Sequence, residues 1–489
     1  MRNCGLWIAG IALISFFGAL QIAGAEEGDS TALAQMASTG KGHSASQVQA
    51  AGAEKSSSAA PIQFSGFWSI ETGQMANYMF LSHEIAHQDL LRTYFNFGIS
   101  KQLTPNLRIN AFAEGKLYYD TFDKQYIGGV ESFNIPGMWY SFYFDQMDAV
   151  YTFGDAAAPP LQLTLGYFPF KYNPDVRDLG EYLYRSGTYP AFIINNFDYA
   201  QARLAGLKVT SNLGMLHQDL LLTLSTDYPP FFDLNAGYIV SCDFAKIFQL
   251  GAGGMYQSFI PANSNLTTPP DANNNGYLKN AVLDPVTGAY KGDTAYYTYA
   301  GLKLMARFSF DPKRIFNSST DDFGILGKED LKIYGEGAIL GVENYPASLI
   351  STNPNPYGYD TLLHKMPLML GFNIPAFKVL DVLSAEVEWY GCTYPNNDQY
   401  KGEQEPFPDP VSPAANSGVG GSPFNYAVTD NWKWAVYAKK SFKCGAYLVG
   451  QIARDHIRNE TPLMSTVDRE EALRLDNSWW WALKMGYKF

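Results

Sequence analysis

Apolar and polar side chains alternate along segment after segment of this chain, with the period of two that puts them on opposite faces of a β-strand. In 106–119, Leu107, Ile109, Ala111, Ala113, Leu117 and Tyr119 fall on one side, and Arg108, Asn110, Glu114 and Lys116 on the other. In 296–310, Leu302, Leu304, Ala306, Phe308 and Phe310 oppose Lys303, Arg307 and Ser309. Segment 382–391 sets Leu383, Ala385, Val387 and Trp389 against Ser384, Glu386 and Glu388. The last residues repeat the pattern: Trp479, Trp481, Leu483, Met485, Tyr487 and Phe489 share one face, and Trp480, Ala482, Lys484, Gly486 and Lys488 the other. The predicted strands are 64–72, 90–100, 106–119, 138–153, 160–169, 200–211, 217–226, 234–243, 247–259, 296–310, 331–343, 367–374, 382–391, 432–440, 443–453 and 479–489, about sixteen in all. Segment 200–211 is irregular, because Arg203 and Lys208 have opposite parity; that predicts a bulge or a displaced end.

The connections alternate in length. Short ones include Lys101–Pro105, Gly154–Pro159, Asn212–Leu216, Phe244–Lys246, Pro375–Asp381 and Ser441–Phe442. Long ones are 73–89, 120–137, 170–199, 260–295, 344–366, 392–431 and 454–478. Asp227–Asp233 and Asp311–Asp330 break the alternation. A soluble β-sandwich would bury the apolar face and leave the charged face as ordinary surface. A membrane barrel turns the apolar face to lipid, where an Arg or Lys costs roughly 2–4 kcal/mol at mid-membrane, so its charged face must line the inside. The alternating connections and an even strand number favour the second arrangement. The expected fold is an all-β, transmembrane, antiparallel up-and-down barrel of about sixteen strands with short periplasmic turns and long extracellular loops. Arg108, Glu114, Lys116, Lys303, Arg307, Glu386 and Glu388 are then expected to face the lumen.

The start of the chain fits a secreted protein. Met1-Arg2-Asn3 gives a positive start, Leu6 to Ile22 is almost wholly apolar, and Ala23-Gly24-Ala25 has the small-x-small form of a cleavage site. A signal peptide over 1–25 is expected; a membrane-anchoring helix is the alternative, and the acidic Glu26-Glu27 that follows speaks against it. Residues 26–60, rich in Ala, Ser, Gly and Gln, predict a flexible periplasmic extension, and 61–489 the barrel. The 489 residues carry 15% aromatics and a net charge of -12 without a basic cluster, which argues against nucleic acid as a partner. Mean hydropathy is -0.16, and beyond the first segment no apolar run is long enough for a membrane helix, which leaves a closed barrel as the membrane-spanning solution. Cys242, Cys392 and Cys444 are too few for a disulfide framework, though Cys392 and Cys444 have the opportunity to pair in an oxidising compartment.

The terminal strand, closed by Phe489 after Trp481, Leu483, Met485 and Tyr487, resembles the C-terminal assembly signal of Gram-negative outer-membrane β-barrels. That resemblance implies an outer-membrane location, contact with outer-membrane lipid, and recognition by the assembly machinery through this strand. The layout as a whole resembles general porins, in which the third long loop folds into the barrel and narrows it. Here that loop is 170–199, and it holds Asp175, Arg177, Asp178, Glu181 and Arg185. These five are the candidate constriction residues; Tyr182, Tyr184 and Tyr189 are placed to pack the loop against the wall. An exposed loop with a short helix and solvated charges is the plainer alternative.

His83-Glu84-Ile85-Ala86-His87 matches H-E-x-x-H, which on a helix binds zinc with the Glu as general base. It falls in the first predicted external loop or at the start of the next strand, and Asp89 and Glu114 are not placed as a third ligand, so no metal site is expected. Tyr94, Phe112, Tyr118, Tyr334, Tyr390 and Tyr437 have lumenal parity and would suit sugar stacking, although barrel tyrosines more often belong to the interfacial belts. No Ser/His/acid set and no phosphate-binding glycine loop is present, and His217, His364 and His456 are isolated. The expectation is a non-enzymatic channel without cofactor, passing small hydrophilic solutes, with a homotrimer left open. A non-conducting adhesin or structural barrel displaying 260–295 and 392–431 is the runner-up, and an outer-membrane enzyme the third reading.

Overall fold

Sixteen antiparallel strands pair in sequence order and return on themselves in a closed ring. The structure is a computed structural model that describes residues 61–80, 83–118, 139–154, 159–185, 202–226, 232–262, 282–283, 286–287, 290–291, 300–316, 323–342, 362–390, 432–455 and 477–489. All of these belong to one compact unit, Gly40–Phe489. The expected signal peptide and extension, the loops 120–137 and 392–431, and Cys392 lie outside the described residues.

The first nine strands of the ring are β1 (Gln63–Phe80), β2 (His83–Thr104), β3 (Leu107–Tyr118), β4 (Trp139–Phe153), β5 (Leu161–Phe170), β6 (Ala202–Leu213), β7 (Leu216–Leu224), β8 (Leu234–Phe244) and β9 (Phe248–Ile260). A small separate hairpin follows, β10 (Val282–Leu283) with β11 (Tyr290–Lys291). The ring resumes with β12 (Gly301–Phe310), β13 (Ile333–Ile339), β14 (Pro367–Asn373), β15 (Val382–Tyr390), β16 (Trp432–Ser441), β17 (Ala446–Arg454) and β18 (Trp479–Lys488). Closure is made by β18 against β1, from Phe67 opposite Lys488 to Ala76 opposite Trp479. Phe489 extends it: its N–H donates to the Gly66 carbonyl at 3.0 Å, and its carbonyl accepts the Gly66 N–H at 3.1 Å. No strand edge is left open at the seam, which is the condition for a sheet in lipid.

The polarity of the ring is inverted relative to a soluble protein. On β12, Leu302 and Leu304 are exposed on the outside while Lys303 and Arg307 are buried within. On β15, Val387 is exposed while Ser384, Glu386 and Glu388 are buried. Trp481, Leu483, Met485, Tyr487 and Phe489 are all exposed on the outer face of the seam. Such a surface is stable where the surroundings are apolar. Leu304→Arg is therefore expected to destabilise the folded barrel by about 2–4 kcal/mol in a urea titration in lipid vesicles. An unchanged midpoint would place that face away from lipid.

One expectation is corrected. The first predicted loop, 73–89, is largely β-ladder: β1 and β2 continue to pair up to Phe80 opposite His83. The H-E-x-x-H segment is thus in strand β2 and not on a helix. Four residues along a strand span about 13 Å, unlike the single helical turn on which that motif depends. Among the described residues no group of His, Cys, Asp and Glu is arranged to hold a metal. Cys242 and Cys444 are free thiols.

The irregularity in β6 has a local cause. Gly206 has φ +153° and faces Gly166, with φ +130°, across the β5–β6 pair. On either side of this kink Arg203 and Lys208 both turn inward: Arg203 pairs with Glu114 at 3.3 Å, and the Lys208 ammonium lies 5.4 Å from the centroid of the buried Phe168 ring. A bulge in β4 adds to the same wall. Phe112 and Ala113 of β3 face Gln146 and Phe144, so Asp145 is the extra residue, and its carboxylate accepts from Arg203 and, at 2.8 Å, from Asn96.

The irregular turn Asp311–Asp330 is folded where it is described. It holds the short helix α2 (Lys313–Phe316), and the Asp330 carboxylate accepts the N–H groups of Gly327, Ala376 and Phe377 at 2.7, 3.1 and 3.1 Å. Those bonds lock this turn to the one between β14 and β15.

Candidate functional site

After Phe170 the chain leaves β5 and enters the ring. Residues Lys171–Glu181 and the single-turn helix α1 (Tyr182–Arg185) cross the lumen. Their hydrogen bonds end on distant strands of the ring. Three consecutive backbone N–H groups, of Arg177, Asp178 and Leu179, donate to the Glu386 carboxylate at 2.6, 2.9 and 2.8 Å. Glu386 is on β15, and counting around the ring from β5 in either direction reaches β15 on the eighth step of sixteen, the opposite wall.

A second carboxylate repeats the arrangement. Glu336 of β13 accepts the N–H groups of Glu181 and Tyr182 at 3.1 and 3.0 Å, the Tyr172 hydroxyl at 2.6 Å and the Asn173 amide at 2.8 Å. Glu388 of β15 accepts the Tyr182 hydroxyl at 2.8 Å. Within the segment, Glu181 takes the N–H groups of Tyr172 and Asn173. A chain inside a barrel has no sheet partner, and an unmade buried N–H is costly; carboxylates supply strong acceptors at these points. Glu181 itself has φ +61°, a backbone strain held by these bonds on both sides.

Apolar contacts complete the anchoring. Val176, Leu179, Tyr182 and Leu183 are at most 1% exposed and join the core that includes Tyr334, Met305, Leu340 and Met369. Each such side chain contributes roughly 1.5–3 kcal/mol against the entropy of ordering the segment. Burial and the Glu388 carboxylate hold the Tyr182 phenol well above its usual pKa, and burial with Glu336 does the same for Tyr172, so both remain donors.

The five candidate constriction residues are placed as follows. Asp175 is buried and pairs with Lys332 at 3.2 Å. Burial alone would raise its pKa, but Lys332, the Ser309 hydroxyl and Arg177 outweigh it and hold the carboxyl below the ordinary range. Arg177 keeps 18% side-chain exposure and reaches Glu329 at 3.4 Å. Asp178 and Glu181 are buried in the loop. Arg185 ends α1, and its side chain lies outside the described residues. Residues 186–199 also lie outside them.

The wall across from the loop carries a second network. Glu71 of β1 pairs with Lys484 of β18 at 3.1 Å and with Arg92 of β2 at 3.8 Å. Glu114 of β3 accepts the Tyr143 hydroxyl at 2.6 Å and pairs with Lys116 at 3.7 Å. The Tyr94 ring has the ammonium groups of Lys116 and Lys484 at 5.9 and 4.7 Å from its centroid, and Tyr334 donates its hydroxyl to Glu386 at 2.8 Å. These rings are engaged with charged partners, which disfavours them as a sugar-stacking slide. Of the other lumenal candidates, Arg108 is half-buried near Asp148, and Lys303, Arg307 and Glu388 are buried.

Glu336, Glu329 and Lys332 were not singled out in the sequence, although Glu336 has the same inward parity as Glu386; Tyr334 was expected in the lumen, but not as a donor to Glu386. Nothing in the sequence marks which carboxylates meet backbone N–H groups of a distant segment.

No protein-family model matches this sequence, and no curated protein does. Among solved structures, a mutant of the Rh. blastica porin shares 8% identity, with 88% of this chain and 100% of that one covered and a TM-score of 0.38. Salmonella typhi OmpF, in complex with daunomycin, gives 10% identity, 88% and 97% coverage and 0.41. Pseudomonas putida OprB gives 9%, 88% and 94%, and 0.43. These likenesses concern the fold alone, a porin-like outer-membrane β-barrel.

Proposed function

We propose that the chain is an outer-membrane channel through which small hydrophilic solutes diffuse passively, with segment 171–185 as its constriction. The observation that carries this reading is the attachment of Arg177, Asp178 and Leu179 to Glu386 on the wall opposite β5. A segment that crosses the lumen and is bonded at its far side narrows the passage at a fixed place. Arg177, half-buried, is the charge it presents there; Asp175 is paired with Lys332, Glu181 takes N–H groups of the segment itself, and Asp178 is buried. Trp481, Leu483, Met485, Tyr487 and Phe489 serve as the assembly signal in the same reading, and location in the outer membrane follows from it.

Reconstitution of the purified barrel in a planar lipid bilayer tests the proposal, with discrete conductance steps expected. A correctly folded but silent protein would favour a surface-displayed barrel. If the segment is the constriction, replacing Arg177 and Arg185 with Ala makes the pore more cation-selective, because positive charge at a narrow point repels cations. The effect should shrink at 1 M salt, where screening limits the field to roughly 3 Å. Unchanged selectivity at low salt in this double variant would show that the segment does not control conduction.

A further inference from the structure

The chain carries a net charge of -12, yet several lumenal carboxylates among the described residues are taken up by bonding. Among the described residues, Glu336, Glu386 and Glu388 are at most 4% exposed and covered by the loop they hold. Glu71 and Glu114 are buried between cations. On the neighbouring wall the situation is reversed. Lys439 of β16 is half-buried, Lys484 of β18 keeps 22% side-chain exposure, and Lys488 of β18 is exposed.

The register puts these lysines on one inner strip. Lys439 faces Val449 of β17, and Val449 faces Lys484 of β18, so the two lysines share a row two strands apart, roughly 10 Å. Lys488 lies further down the same face of β18, with its ammonium 5.8 Å from the centroid of the Tyr447 ring. Tyr447 has room to lie across β18 because its partner there is Gly486, where a methyl group would meet the ring at 2.3 Å. Arg177 approaches the strip from the loop: Lys439 is within electrostatic reach of both Arg177 and Lys488.

The acids nearby offset this charge only in part. Glu329 is shared between Arg177 and Lys332, Asp175 pairs with Lys332, and Asp381, which accepts the Ser441 N–H at 2.6 Å in the turn below, is the acid that acts on Lys439. Among the described residues neither Lys439 nor Lys488 has a carboxylate within ion-pair distance. Lys439 thus feels two cations, Lys488 and Arg177, against one acid, Asp381, and these ammonium groups border the passage beside Arg177.

We infer that Lys439, Lys484 and Lys488, with Arg177 across from them, form an anion-selecting strip, and that the solutes this channel favours are small anions such as inorganic oxyanions and carboxylates. The inference rests on the channel reading above. Accessible cations raise the local concentration of anions and lower that of cations, and the low-dielectric wall strengthens the effect.

The test is the reversal potential of the reconstituted full-length barrel under a KCl gradient of about tenfold, kept at low ionic strength so that the lysines are not screened. The natural sequence is expected to pass chloride in preference to potassium. The Lys439→Gln/Lys488→Gln double variant, which removes no ion pair, should lower the chloride-to-potassium permeability ratio by about four-fold, roughly two-fold per charge at these separations. Lys440→Gln is the control: this neighbour donates to the Lys378 carbonyl at 3.0 Å and has the opposite parity, so its loss should leave the ratio unchanged. A cation-selective natural channel overturns the inference while leaving the channel intact. So does a double variant that conducts with an unchanged ratio. A folded barrel without conductance steps overturns the channel reading on which the inference depends.

Discussion

Replacing Glu386 with Leu should release the lumenal segment from the far wall and enlarge the conductance step. One carboxylate accepts three backbone N–H groups and the Tyr334 hydroxyl, so its removal strands four donors at once. Hydrogen bonds to a charged group are each worth about 1.5–3 kcal/mol, and buried donors left without an acceptor add their own cost. The contributions are not additive, but a loss of about 3 kcal/mol already shifts a docked-to-undocked ratio by over a hundred-fold. Glu386→Gln separates charge from shape. It keeps an acceptor oxygen but loses the negative charge that serves four donors, so an intermediate step with open-channel noise is expected. The wall itself should stay closed, because Glu386 contributes to the β14–β15–β16 ladder through its backbone alone. Limited proteolysis from the lumenal side gives a second readout: cleavage within 171–185 should rise in Glu386→Leu. A conductance step and cleavage rate equal to those of the natural sequence would mean that Glu336 and the apolar anchors hold the segment without Glu386.

The ring was legible in the sequence because a barrel wall imposes a strict period of two over many segments, and each charged face forbids lipid on that side. The predicted segment 382–391 coincides with β15, Val382–Tyr390, to within one residue. The first hairpin was not legible in the same way. Residues 73–89 include Gly73, Gln74, Asn77, Gln88 and Asp89, which read as loop composition, but once β1 and β2 are joined at their base, continued pairing satisfies backbone groups that a loop would leave to solvent. The tertiary ladder overrides local propensity there. The lumenal segment lies between these cases. Its charges and tyrosines mark it as unusual, but the carboxylates that hold it are more than a hundred and fifty residues away, as the 164-residue separation of Tyr172 and Glu336 shows. No local pattern encodes a bond of that reach.

The parity conflict between Arg203 and Lys208 pointed to a backbone irregularity, and its position at Gly206 leads to a large expected effect on folding. Gly206 has φ +153°, and a methyl group there would come within 2.1 Å of the Leu222 carbonyl oxygen and 2.8 Å of the Thr223 Cα. Both atoms are backbone of the paired strand β7, so no rotamer change can relieve the overlap. Gly206→Ala must therefore either spread β6 from β7 or straighten the kink. Spreading breaks ladder bonds in a wall that has no water to replace them. Straightening sends Arg203 or Lys208 toward lipid, at roughly 2–4 kcal/mol for a cation near mid-membrane. Backbone strain alone accounts for about 1–3 kcal/mol, and either route adds to it. Gly214→Ala supplies the comparison: Gly214 also has a positive φ, +65°, but nothing lies within 4 Å of the added methyl. It should cost about 1–2 kcal/mol, the dihedral strain by itself. Urea titrations of refolded protein in vesicles are expected to show Gly214→Ala slightly weakened and Gly206→Ala either unfolded or lower by several kcal/mol. Equal stabilities for the two variants would mean that the kink at Gly206 is a matter of local dihedral preference and does not set which side chains of β6 face the lumen.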